Sequence, residues 1–95
     1  MSQRSAPRYF HYLERAVEQR KRAGALTGTD ELHQAKRDFL LTMALRNERQ
    51  AELHMREDAG QPLGPAKKEL RKLDTQLVAI RDRLARLGVN VRRKK

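Results

Sequence analysis

Residues 63–87 read LGPAKKELRKLDTQLVAIRDRLARL. Leu63, Ala66, Leu70, Leu73, Leu77, Ile80, Leu84 and Leu87 step by three and four without a break, and Leu63, Leu70, Leu77 and Leu84 recur every seven residues. This is an a/d heptad seam, and it predicts a helix over 65–87 pressed along its length against other helices. Pro65 stands in the first turn, where a missing N–H is tolerated, and Gly88 follows the last leucine as a stop.

The charges flanking the seam choose its partner. With Leu63 at position a, the e positions are Lys67, Asp74 and Arg81 and the g positions are Glu69, Gln76 and Arg83. A parallel pair of copies would set Glu69 against Asp74, a like-charge contact, and Gln76 against Arg81 with no ion pair. An antiparallel partner within the chain fits better. Ala59-Gly60-Gln61-Pro62-Leu63-Gly64-Pro65 is a turn by composition, short enough to make the preceding helix a neighbour. Glu48, Glu52, Glu57 and Asp58 before the turn would then lie beside Lys67, Lys68, Arg71 and Lys72 after it.

That preceding helix is predicted over 29–58, capped by Thr27 or Thr29, with Asp30 and Glu31 in its first turn. Phe39, Leu40, Leu41, Met43, Ala44 and Leu45 cover nearly its whole circumference and call for burial on several sides. Only Ala51, Leu53 and Met55 are apolar beyond Arg46. A first helix is predicted over 6–23, with Ser5 as N-cap, Pro7 in its first turn and Gly24 as C-cap. Its apolar face holds Tyr9, Phe10, Leu13, Ala16 and Val17, which would close over the Phe39–Leu45 stretch. The expected fold is all-α: one helical domain over 1–88, a three-helix base from which an antiparallel helical hairpin with a coiled-coil-like third helix projects. Residues 89–95 form a basic tail.

Composition narrows the function. A 95-residue chain with 38% hydrophobic and 36% charged residues supports one domain with a modest core. Without Cys there is neither a disulfide nor a thiolate metal site. His11, His33 and His54 stand far apart with no paired ligand, so no metal site is expected. Ser and Thr lack a base-and-orienter set, the glycines form no phosphate loop, and Glu14/Glu18 and Glu48/Glu52 read as salt-bridge partners. No enzyme and no cofactor is expected. No run approaches the roughly 20 apolar residues of a membrane span, and the Arg-bearing first twenty residues show no secretory signal, so the expected location is cytoplasmic and off the membrane.

Charge supplies the positive indication. The net charge is +10, with 15 Arg and 7 Lys, and it is uneven: +4 over residues 1–28, −2 over 29–60 and +8 over 61–95. The expected arrangement brings Arg20, Lys21 and Arg22 to one pole with Arg86, Arg92, Arg93, Lys94 and Lys95, leaving the hairpin tip near neutral. A basic pole of this kind suits phosphate contact. The few aromatics offer no stacking platform, Tyr12 being the best exposed candidate, so backbone contact is expected over base readout. The leading expectation is non-enzymatic binding of nucleic acid, DNA or RNA, or of a nucleoprotein complex. The alternative is an adaptor or inhibitor that docks on a larger protein machine through the hairpin. The Phe39–Leu45 surface is a candidate for protein binding or self-association into a homo-oligomer.

Overall fold

The computed structural model describes residues 8–89. Three helices make up the described chain, α1 Arg8–Ala25, α2 Glu31–Asp58 and α3 Gly64–Arg86, and no strand occurs among the described residues. Ser5 and Pro7 lie outside the described residues.

Two glycines end helices as their backbone freedom requires. Gly60 and Gly88 have φ of 70° and 92°. After α2, the Gly60 N–H donates to Glu57 O and the Gln61 N–H to Arg56 O. After α3, Gly88 donates to Ala85 O and Val89 to Leu84 O. Both are the double bond of a Schellman motif, which satisfies carbonyls that the helix leaves open. Gly24 does not act this way, because α1 continues through it to Ala25. The N-cap of α2 is Asp30 and not a threonine. Its carboxylate makes no capping bond, taking the His33 ring at 2.5 Å instead.

The seam buries as its spacing predicts. Leu70, Leu73, Leu77 and Leu84 are buried, and Leu63, Ala66, Ile80 and Leu87 are half-buried. Each buried leucine contributes roughly 1.5–3 kcal/mol. The surface they cover is α2. Arg49 meets Glu69 at 3.5 Å, Arg46 meets Asp74 at 2.5 Å and Asp38 meets Arg83 at 3.1 Å, so partners rise along α3 as they fall along α2. The Arg81 guanidinium lies over the Phe39 ring, 5.8 Å from its centre.

A different interface joins α1 to α2. Tyr12 stacks on His54, Gln19 accepts a bond from Asn47, and Arg20 binds Glu48. That register sets Ala16 level with Ala51 and Ala23 level with Ala44, and all four are buried. Alanines at both sides of a crossing let two helix backbones approach closely while removing little apolar area from water. Asn47 is buried among them, only 6% exposed, and its Nδ2 donates to Gln19 Oε1 at 2.8 Å, which satisfies it.

The position of α1 corrects the sequence expectation. It packs on the second half of α2 and does not close over Phe39–Leu45 together with α3; among the described residues α1 and α3 do not pack on each other. At roughly 100° per residue, the α1-facing side of α2 (Ala44, Asn47, Ala51) and its α3-facing side (Asp38, Arg46, Arg49) point in nearly opposite directions. Helix α2 therefore lies between its two neighbours. Its Phe39–Leu45 stretch is only partly covered, with Ala44 buried and Leu41 40% exposed. Residues 26–30 fold back along the first turns of α2, held by Arg37, whose Nη1 donates to Leu26 O at 2.6 Å and Gly28 O at 2.8 Å.

Candidate nucleic-acid interface

Among the described residues, the expected cations do not all converge at one pole. Arg20 sits level with Glu48, whereas Arg83, three residues before Arg86, sits level with Asp38. Ten residues of α2 separate the two levels, about 15 Å of helix, and α1 and α3 occupy opposite sides of it. Arg20, Lys21 and Arg22 are thus apart from Arg86. Arg92, Arg93, Lys94 and Lys95 lie outside the described residues.

Two of the expected cations are already engaged. Arg20 Nε donates to Glu48 Oε2 and Nη2 to Glu48 Oε1, both at 2.9 Å. This forked bond holds the Glu48 carboxyl below the ordinary glutamate range and raises the Arg20 guanidinium further. Arg22 Nε lies 3.4 Å from Glu18 one turn back. Lys21 and Arg86 are exposed.

The densest group of unengaged cations lies where the charge pattern predicts near neutrality. Lys67, Lys68, Arg71 and Lys72 are exposed within the first three turns of α3 and make no ion pair among the described residues. Of the acidic residues expected to match them, Asp58 is exposed with no ion pair among the described residues and the other three are engaged elsewhere. Glu48 goes to Arg20, Glu52 to Arg49 and Arg56 of its own helix, and Glu57 to His54. Cross-helix pairing between α2 and α3 runs mostly the opposite way, with Arg46 and Arg49 of α2 on Asp74 and Glu69 of α3. A signal for this was present in the sequence: Lys67/Arg71, Lys68/Arg71 and Lys68/Lys72 are like-charge neighbours at helical spacing, which repel each other by a few tenths of a kcal/mol each.

The site's field is reinforced by its place on the helix. No acidic residue stands in the first turn of α3. The cations add to the positive end of the helix dipole where a carboxylate would offset it. Arg86 falls on the same helical face as Lys68, five turns on, and extends the cationic side of α3.

The aromatic and imidazole groups serve the fold. Tyr12 is half-buried and stacked on His54, with ring centres 5.5 Å apart and planes 23° apart, so it is not available to a base. Phe10, expected in the core, is 47% exposed. His54 also contacts Gln50 at 3.2 Å and Glu57 at 3.1 Å. His33 binds Asp30, lowering that carboxyl from its ordinary value. No cluster of three or more potential metal-ligating side chains occurs among the described residues. No described helix is long and apolar enough to cross a membrane.

No protein-family model matches the chain, and no curated protein and no solved structure shows significant similarity to it. The functional reading therefore rests on the geometry of its own residues.

Proposed function

We propose that this protein binds nucleic acid, or a complex containing it, without catalysis and through contacts to the phosphate backbone. The observation that carries the reading is the group Lys67, Lys68, Arg71 and Lys72: four exposed cations within two turns, with no carboxylate partner among the described residues, at a helix end whose dipole has the same sign. Most other arginines of the described chain are held by carboxylates, carbonyls or a ring. These four, with Arg15, Lys21 and Arg86, are exposed and without a carboxylate partner among the described residues, and the four are the only ones of them grouped within two turns. The basic tail Arg92, Arg93, Lys94 and Lys95 belongs to the proposal on sequence grounds. We read α2 and α3 as an antiparallel, coiled-coil-like hairpin that presents the group at its tip, supported by the order of the 38–83, 46–74 and 49–69 ion pairs.

The test is fluorescence anisotropy with a labelled duplex at several salt concentrations. Replacing Lys67, Lys68, Arg71 and Lys72 together with Gln should weaken binding. It should also flatten the log–log salt dependence by about 0.9 for each phosphate of double-stranded DNA that is no longer neutralised. Replacing Arg20 and Arg22 should do less, because their guanidiniums are engaged. A parent that does not bind, or a fourfold variant with the parent's slope, overturns the proposal.

One observation favours the second reading, an adaptor or inhibitor docking on a protein machine through the hairpin. A groove of about 360 Å³ runs between α2 and α3, lined by Met43, Arg46, Asp74, Leu77, Val78 and Arg81. Val78 is 55% exposed at its edge. Val78→Asp would abolish capture of such a partner and leave duplex binding unchanged.

A further inference from the structure

Two stripes of side chains share one face of the molecule. On α1, Phe10, Leu13, Val17 and Arg20 follow at spacings of three and four. On α2, Leu41, Leu45, Glu48, Glu52 and Met55 do the same. The forked Arg20–Glu48 pair joins a member of one stripe to a member of the other, so both stripes lie side by side on the same surface. Four of the five large apolar side chains most exposed in the described chain belong to this face: Phe10, Val17, Leu41 and Met55.

We propose that this face is the interface of a homodimer, with a second copy of the chain packed on it about a two-fold axis. Helix α2 lies between α1 and α3, which do not pack on each other among the described residues, so the three helices do not close round a common core. Five of the nine buried apolar residues in the described chain are alanines, so the monomer's own core removes little area from water. A second copy packed on this face supplies the apolar burial that the monomer lacks. The α2 stripe is also self-complementary, apolar at both ends and acidic in the middle. A two-fold axis at the level of Glu48 sets Leu41 of each copy against Met55 of the other, as an isologous interface requires. The carboxylates brought together at that axis are already matched, Glu48 by Arg20 and Glu52 by Arg49 and Arg56. Lys67, Lys68, Arg71 and Lys72 fall outside the face.

This inference does not rest on nucleic-acid binding, and salt separates the two. Matched charges at the face and a net +10 on each copy mean that added salt screens repulsion and strengthens association. Backbone binding weakens under the same change. Sedimentation equilibrium of the full chain over a range of concentration and salt should return twice the chain mass. Val17→Asp and Leu41→Asp should halve it, with helical circular dichroism confirming that each variant folds. Val78→Asp, on the other side of the molecule, should leave the dimer intact. The chain has no Cys, so the double variant Leu41→Cys, Met55→Cys should form covalent dimers on oxidation, while Val78→Cys should not. A parent that sediments as a monomer throughout overturns the proposal, as does a dimer indifferent to Val17→Asp and Leu41→Asp or a failure of the 41/55 cross-link.

Discussion

Arg20 and Glu48, 28 residues apart in sequence, close a two-pronged bond with both contacts at 2.9 Å. The pair fixes the register of α1 on α2 and occupies the guanidinium that composition alone assigns to phosphate. It also gives the fold a defined response to acid.

Glu48 titrates below its ordinary range in the folded chain, chiefly because Arg20 donates to the charged carboxylate. A carboxyl with a depressed folded value binds its proton more weakly than in the unfolded chain. Its contribution is complete above the unfolded value, near pH 4, and is lost as pH falls through the lower folded value. Asp30, lowered by His33, acts in the same direction. Thermal melts should therefore show stability falling below about pH 4, with a shallower fall in Glu48→Gln. An identical pH profile in that variant would detach the pair from acid stability. The pair is partly exposed, so Arg20→Ala should cost no more than about 1 kcal/mol at neutral pH.

Close approach of α1 to α2 at their alanines is tested by overpacking. Ala51 is fully buried level with Ala16, and Ala51→Leu should destabilise by about 1–3 kcal/mol as the helices are forced apart. Ala79→Leu, at an exposed position of α3, should change stability by less than about 0.5 kcal/mol. Chemical denaturation of both variants decides it, and equal effects would mean that α1 does not approach α2 through these residues.

Gly28 is required for space. A Cβ there would stand 2.5 Å from His33 Cγ and 2.6 Å from its Nδ1, at the base of the ring where the side chain has little freedom to move aside. Gly28→Ala should displace His33 from Asp30 and destabilise by about 1 kcal/mol or more. It should also restore an ordinary titration to Asp30, which NMR can follow. A variant as stable as the parent, with Asp30 still lowered, would contradict this packing.

The seam is tested by Leu77, 3% exposed, against Thr75, exposed, whose hydroxyl donates to Arg71 O at 3.1 Å. Leu77→Ala should cost about 2–5 kcal/mol. Thr75→Ala should cost about 0.5 kcal/mol or less. Denaturant midpoints with unchanged m-values are the measurement, and comparable losses at the two positions would show the wrong face of α3 turned inward.

How much was legible depended on the kind of side chain. Leu70, Leu73, Leu77 and Leu84 announce their burial because large aliphatic groups at heptad spacing have one favourable destination. Gly60 and Gly88 mark helix ends because other residues resist the left-handed backbone those turns need. The α1–α2 contact was hard to read, since Ala16, Ala23, Ala44 and Ala51 also recur at sevens but carry little hydrophobic signal. Asn47 and Gln19 read as surface residues until they are seen bonded to each other.

From the chain alone, then, follow three helices, the buried side of the third and a cationic character. The tertiary structure decided which cations remain available. Whether an arginine meets a carboxylate depends on the rotational phase and axial register of two packed helices, and a shift of one residue turns a side chain by roughly 100°. Packing of α1 on the second half of α2 gave Glu48 to Arg20, and the phase of α3 turned Glu69 and Asp74 toward Arg49 and Arg46. Lys67, Lys68, Arg71 and Lys72 were left facing solvent, while Glu48 went to Arg20 of α1 and Glu52 and Glu57 to partners within α2.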